Sequence, residues 1–295
     1  MLTLFFSSTG NTEYIAKLFS YKMGAECLSI EADADFESAI KNNAIVTFCY
    51  PIYASRVPRI MREFVAKHMK CFYGKKIIIL VTQVIFSGDG ARVFTDMFRK
   101  NTIEVIYAEH INMPNNVGNI PFLGKPSTKA LQRTFNKAEA HVACICEDIR
   151  NGIIKKRGFS RFSQFLGCIQ GKIWQGDSRK IAPRIFSAEH KAKNGVKIHK
   201  ECTSCNLCVS ICPMKNLASE QGRVIPKKNC IVCYRCVNRC PKKAITVMMF
   251  HIRPRWQYKC AKMWGKSNKV MYIAFDILTC AAYDNFGKDD CSMVC

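Results

Sequence analysis

The sequence predicts two folded units in series: a doubly wound α/β parallel sheet at the N-terminus, and a small α+β domain organised by cysteines near the C-terminus. Three observations predict this. Continuous apolar runs alternate with amphipathic helical patterns through the first 151 residues. One cysteine phrase occurs twice, at a 28-residue offset (202 to 230). A strongly basic connecting stretch, 152–195, separates the two regions.

The N-terminal elements follow in order. Leu2–Phe6 is an apolar strand, and Thr12–Met23 puts Tyr14, Ile15, Leu18 and Phe19 on one helical face. Ala44–Tyr50 and Lys76–Val81 are uninterrupted apolar runs, as expected of parallel strands covered on both faces. Ile60, Phe64 and Val65 mark a helix between them, and a weaker helix over Ala91–Lys100 precedes a strand at Ile103–Ala108. In the last helix Leu131, Phe135, Ala138, Val142, Ile145 and Ile149 recur at steps of four and three. With Ala44–Tyr50 numbered as the third strand, Lys76–Val81 as the fourth and Ile103–Ala108 as the fifth, five strands alternating with helices imply a doubly wound sheet, whose ligand lies beyond the carboxyl ends of its strands.

Three loops at those ends carry candidate chemistry. Ser7, Ser8, Thr9, Gly10, Asn11 and Thr12 open directly into a helix, where hydroxyls and unpaired N–H groups favour a phosphate. Such residues also simply cap helices. Pro51, Tyr53 and Ala54 follow the third strand and offer an aromatic to a flat ring. Phe86, Ser87, Gly88 and Gly90 follow the fourth, where glycine permits close backbone approach. Taken singly, Tyr53 and Phe86 are as well explained by packing.

The repeated phrase is C-x2-C-x2-C-x3-C-P, first at Cys202, Cys205, Cys208 and Cys212, then at Cys230, Cys233, Cys236 and Cys240. This is the bacterial ferredoxin run for [4Fe–4S] ligation, in which the fourth cysteine reaches the other cluster. The expected ligand sets are therefore Cys202, Cys205, Cys208 and Cys240 for one cluster, and Cys230, Cys233, Cys236 and Cys212 for the second. Structural zinc also uses C-x2-C pairs but gains nothing from the third step and the C-x3-C-P ending. Over 196–248 so short a unit cannot bury enough apolar surface alone, so the clusters would serve as its core. Ile198, Val209, Val224, Ile225, Val237, Ile245 and Val247 are expected to shield them, and Glu220–Arg223 reads as a turn.

Residues 1–151 resemble the flavodoxin family: FFSSTGNTEYIA is similar to its phosphate loop, and the loops after strands three and four match those that hold the isoalloxazine ring of FMN. The resemblance implies strand order 2-1-3-4-5 and FMN on the three loops named above. The whole chain resembles the flavodoxin–ferredoxin fusion proteins of anaerobes, sometimes called ferrodoxins. Flavodoxins and small ferredoxins are usually acidic, whereas this chain carries a formal +23. Two clusters with eight thiolates subtract only about 4 from that.

The charge is concentrated. Residues 1–150 hold 18 Lys+Arg against 14 Asp+Glu, 151–200 hold 12 against 2, and 201–250 hold 8 against 2. A basic middle suits redox partner proteins that are acidic at the contact, or an anionic membrane surface, and equally a solvated face. No nucleic-acid motif accompanies it, so no nucleic-acid partner is expected. In the linker, Phe162, Phe165, Ile169 and Ile173 fall at helical spacing beside Trp174, which predicts a helix packed on a domain. No run approaches the ~18 apolar residues of a membrane span, Met1–Phe6 is too short for a signal-peptide core, and the expected location is cytoplasmic. In the tail, 249–295, Cys260, Cys280, Cys291 and Cys295 follow no ligand spacing and are expected to be unliganded thiols. The expected function is electron transfer between the clusters and FMN, with no catalytic residue nominated. The rival is a flavin-dependent reductase of a small acceptor such as a quinone, fed by the clusters.

Overall fold

The computed structural model describes residues 1–119, 124–175, 191, 193–248 and 251–260, with the side chains of 172–175 left aside. Six strands form one parallel sheet: β1 (Leu2–Phe5), β2 (Glu26–Ser29), β3 (Ile45–Pro51), β4 (Lys76–Gln83), β5 (Glu104–Asn112) and β6 (Lys155–Lys156), in the order β2-β1-β3-β4-β5-β6. The first five strands have the flavodoxin-like order 2-1-3-4-5, and β6 extends it by one.

β4 shows why the strands read as unbroken apolar runs. Successive strand residues face opposite sides, so Ile77, Ile79 and Val81 enter one core while Ile78 and Leu80 enter the other. The first core lies under α2 (Phe36–Lys41) and α3 (Arg59–Lys67), with Phe48, Phe64, Phe72 and Phe94 packed together. The second lies under α1 (Asn11–Met23) and α4 (Thr128–Arg150), where Ile15, Phe19, Phe135, Val142 and Ile145 meet Phe5 and Cys49. Each such fully buried side chain contributes about 2 kcal/mol of transfer free energy. Truncating Ile79 to alanine would cost about 3 kcal/mol, because the hole would open in the middle of the sheet.

The short strand β6 is held by charge. Glu109 of β5 is fully buried and receives Arg157 Nη1 at 3.0 Å, Lys155 Nζ at 3.2 Å and His141 Nε2 at 3.7 Å. Burial pushes its carboxyl up, but His141, the His110 N–H and Arg157 outweigh that and hold it at about 2.

The linker forms α5 (Arg161–Gln175), started by Ser160, whose Oγ accepts from the Ser163 N–H at 3.1 Å. Its docking differs from the packing expected of its apolar spacing. Phe162 is 70% and Phe165 63% exposed, and Ile169 is exposed too. α5 instead meets the sheet domain through Gly167, where a Cβ would sit 1.7 Å from Asp89 Oδ1. A helix without a side chain there can lie directly on a loop, which leaves its aromatic face outward.

The cysteine-rich unit has two small antiparallel ladders. β7 (Lys197–Ile198) pairs with β10 (Ile245–Thr246), and β8 (Leu217–Glu220) pairs with β9 (Arg223–Pro226). Gln221 and Gly222 both have positive φ (48° and 74°), the two-residue hairpin turn whose twist matches its strands. Two single-turn helices, α6 (Leu207–Ser210) and α7 (Arg235–Arg239), follow the cysteine loops. Val224, Val237, Ile245 and Val247 are buried here with Ile198 and Val209 partly buried beside them, as anticipated; Ile225 points outward. Among the described residues no helix is long and apolar enough to cross a membrane. Cys280, Cys291 and Cys295 lie outside the described residues.

Candidate functional site

The eight repeated cysteines surround two cavities, and the cavities divide them. One, the outer cavity, is lined by Cys202, Cys205, Cys208 and Cys240; the other, the inner cavity, by Cys212, Cys230, Cys233 and Cys236. Each loop thus gives three cysteines to its own cavity and one to its neighbour's. The empty volumes are ≈ 320 and ≈ 360 Å³. Among the described residues every cysteine is a thiol, and no three His, Cys, Asp or Glu are grouped tightly enough to hold a single metal ion.

The backbone around the cysteines repeats as closely as the sequence does. Ser204 and Val232 are left-handed (φ 53° and 59°), as are Asn206 and Tyr234 (57° and 61°) and Lys215 and Lys243 (47° and 51°). Such residues are strained, most of all the β-branched Val232. The strain aims N–H groups at sulfur. Ser204 and Val232 donate to Cys202 and Cys230 Sγ at 3.4 and 3.3 Å, and Asn216 and Ala244 to Cys212 and Cys240 Sγ at 3.2 and 3.3 Å. Donors of this kind stabilise negative sulfur and are among the levers that set cluster potential.

Burial opposes ionisation of these thiols. Burial, then neighbouring cysteines, push Cys208 up to about 11 and Cys233 up to about 12, while burial pushes Cys230 up to about 11 against an N–H bond from Val232. Four thiolates in so small a space require positive charge between them. A cube of iron and sulfide fits both this donor set and its spacing.

The sheet-domain loops lie against the inner cavity. Ile231 and Cys233 are buried in the same core as Phe48, Tyr50 and Val81, with Tyr53 and Ile52 packed on it. Burial, then the charge of Cys233, raises the Tyr53 phenol well above its usual range, against a hydrogen bond from Ser8 and the charge of Arg235. Ala54 and Ser55 take left-handed φ (47° and 59°) in this turn, and Pro51 ends β3. Ser87 is buried, its Oγ within 2.5 Å of Gln83 Oε1 and 3.0 Å of His110 Nδ1. Its carbonyl accepts from Ser55 Oγ at 2.6 Å, and Ser55 also meets Gln170 of α5. Gly88 (φ 50°) lies against Gly167 of α5, and Gly90 against Ile52. Phe86, by contrast, is nearly half exposed. α5 therefore covers the two loops to which the ring is assigned.

In the loop after β1, Ser7, Ser8, Thr9, Asn11 and Thr12 are all buried, and Gly10 (φ 102°) turns the chain into α1. Ser7 Oγ accepts from the Gly10 N–H at 3.2 Å, Thr9 Oγ1 from Asn116 at 3.0 Å, and Thr12 Oγ1 lies 2.7 Å from Thr82 Oγ1. Buried hydroxyls around a helix N-terminus fit the phosphate of FMN.

Four further residues organise this loop without any motif to announce them. Tyr258 donates its OH to Asn11 Oδ1 at 2.6 Å, and the Cys260 N–H donates to the Thr9 carbonyl at 3.2 Å. Cys260, expected to be an unliganded thiol of the tail, has its Cβ 2.7 Å from where a Gly10 Cβ would stand. Asn238 holds this strap by accepting from the Tyr258 N–H at 2.6 Å while donating to the Asn116 carbonyl at 2.9 Å. Arg235 spans from the inner cysteine loop to the Ser7 and Ser8 carbonyls. A comparison of the two repeats position by position offers the one sequence signal for it: Arg235 stands where the first repeat has Leu207.

Residues 2–120 match the Flavodoxin domain family, and residues 201–245 match the 4Fe-4S dicluster domain family. No curated protein matches the chain. Solved structures similar to it include a flavodoxin from the domain Archaea, 13% identical, covering 50% of this chain and 97% of that one with a TM-score of 0.34. Two-electron reduced Megasphaera elsdenii flavodoxin is 18% identical, covering 47% and 100%, with a TM-score of 0.34. Oxidised Flavodoxin 1 from Bacillus cereus is 13% identical, covering 48% and 96%, with a TM-score of 0.32. This chain accordingly joins a flavodoxin domain to a 4Fe–4S dicluster domain.

Proposed function

We propose that this protein is an iron–sulfur flavoprotein of electron transfer, with two [4Fe–4S] clusters and one FMN on a single chain. Cys202, Cys205, Cys208 and Cys240 hold the outer cluster, and Cys212, Cys230, Cys233 and Cys236 the inner one. Ser7–Thr12 take the FMN phosphate, while Pro51, Tyr53, Ala54, Phe86, Ser87, Gly88 and Gly90 flank its ring. The observation that carries this reading is the placement of the inner cavity beside Tyr53, in a core shared with the flavodoxin domain. When bound, clusters exchange single electrons and a flavin exchanges one or two.

The chain's own residues set the conditions for that exchange. Val237, Ile245 and Val247 keep water from the clusters, and the paired N–H donors at Ser204, Val232, Asn216 and Ala244 stabilise the reduced, more negative state. α5 covers the ring loops through Gly167 and the Ser55–Gln170 contact, which favours a carrier over a reductase open to a diffusible acceptor. The outer cavity faces away from the sheet domain: Cys205 is exposed, and Leu207 is 40% exposed. Lys242 lines it, and Arg253, ion-paired with Glu201 at 2.7 Å, is tied to its rim through the Lys242 carbonyl. This basic rim is where a redox protein acidic at the contact docks. The reduced thiols suit a cytoplasmic setting.

Anaerobic purification followed by iron, sulfide and flavin assays, with EPR after dithionite reduction, tests the reading. About eight irons and one FMN per chain are expected. Zinc in place of iron would overturn it, and eight irons without flavin would reduce the first domain to a docking scaffold.

A further inference from the structure

Arg235 and Leu207 occupy the same position of the two repeats, 28 residues apart (207 to 235), yet Leu207 is exposed while Arg235 has a partner for each of its guanidinium nitrogens. Nη2 donates to the Ser7 carbonyl at 2.6 Å and Nε to the Ser8 carbonyl at 3.3 Å. Nη1 donates to the Ile211 carbonyl at 3.1 Å, and the two Nη groups clasp the Glu31 carboxylate at 2.7 and 2.5 Å. The charge also stands 5.8 Å from the Phe6 ring centroid. Ile211 immediately precedes Cys212, and Arg235 itself lies between Cys233 and Cys236. One side chain therefore contacts both chain segments that bring cysteines to the inner cavity, and also the loop assigned to phosphate.

The direction of these bonds matters. In a trans peptide the C=O and the following N–H point to opposite sides. Fixing the Ser7 and Ser8 carbonyls on Arg235 turns the N–H groups of Ser8 and Thr9 away from it, as preset donors for an anion. We propose that Arg235 is a positioning residue that couples the inner cysteine site to the phosphate loop, so that an assembled inner site holds the loop in its phosphate-binding form. The proposal rests on the flavin reading above. By linkage, phosphate binding in turn favours the assembled inner site.

The test measures affinity for FMN and for riboflavin, which lacks the phosphate, in iron-loaded wild type, Arg235→Met and Glu31→Gln. With iron content retained, Arg235→Met should weaken FMN by about tenfold and Glu31→Gln by about threefold, while riboflavin affinity stays at the wild-type value. Unchanged FMN affinity in the iron-loaded variants would overturn the proposal, as would an equal loss for both flavins. Loss of iron from both variants would also overturn it, making Arg235 a folding residue. Wild type that carries its irons but binds neither flavin is a different outcome, and would remove the flavin reading itself.

Discussion

The two cysteine loops share cysteine spacing, left-handed positions and N–H···S bonds, and differ in nearly every residue between the cysteines. The outer loop reads Thr203, Ser204, Asn206, Leu207; the inner reads Ile231, Val232, Tyr234, Arg235. The first set is small, polar or exposed, whereas in the second Ile231 is buried in the core shared with the flavodoxin domain, and Val232 and Tyr234 are buried in the cysteine unit's own core. Tyr234 OH reaches Asn119 at 3.0 Å, and Asn229, just before the inner loop, accepts Arg59 Nη2 at 2.7 and 2.8 Å through its carbonyl and side-chain oxygens. A backbone that makes a cluster site leaves its intervening side chains free to vary. Here that freedom makes one copy an interface within the chain and the other a face toward solvent.

Removing the metal should have the largest effect. Anaerobic chelation of iron from acid-treated protein should unfold 196–248, because the cavities are its centre, while the parallel sheet keeps its circular dichroism. Retention of the dicluster region's structure would show that its apolar residues suffice alone. Single ligand substitutions come next. Cys205→Ala should cost about half of some eight irons and leave FMN affinity unchanged. Cys233→Ala should lose iron and also weaken FMN, since Cys233 belongs to the shared core. Equal flavin affinity in the two variants would erase the distinction between inner and outer loops.

Acid offers an independent handle on the inner side. His110 supports the 83–90 loop through Ser87 and accepts from the Ala91 N–H at 3.3 Å. Burial, then Arg157, lowers it from 6.5 to about 4 despite Glu109. Between those values the unfolded chain binds a proton that the folded chain refuses. Stability should therefore decline by on the order of 3 kcal/mol as pH falls from 6.5 to 4. Glu109, lowered from 4.5 to about 2, adds a second decline between those two values. Denaturant titrations from pH 7 to 5 check the first decline, which His110→Gln should flatten. The smallest effect belongs to the outer rim. Lys242→Glu should weaken binding of an acidic ferredoxin severalfold at low salt, with the difference vanishing as salt rises. Surface plasmon resonance would measure it, with Lys75→Glu, remote in the sheet domain, as the control.

How much of this was legible in the sequence depends on the range of the interaction. The cysteine phrase specifies a local loop, and the eight cysteines line two cavities in the two sets that its spacing suggests. β1, β3 and β4 announced themselves because a strand buried on both faces is largely apolar, and β5 did so only as far as Ala108, since Glu109 and His110 beyond it are polar and buried. β2 did not: Glu26–Ser29 is an edge strand with no buried residue. β6 was equally silent, since Lys155 and Arg157 are placed by the buried Glu109 and not by hydrophobicity. In α5, periodicity identified a helix but misled about its face, because contact through Gly167 removes side chains where apolar patterning looks for them. Arg235, Asn238, Tyr258 and Cys260 act on a loop more than two hundred residues earlier, and contacts of that range leave no spacing to detect.

The strap has a consequence for the order in which the molecule is made. Ser7–Thr12 leave the ribosome about 250 residues ahead of Tyr258 and Cys260. At about 5–20 residues per second the loop therefore waits on the order of ten seconds to a minute before its strap exists. During that interval the loop lacks the Tyr258 and Cys260 bonds to Asn11 and Thr9, so the side they cover stays open to the FMN proposed for it.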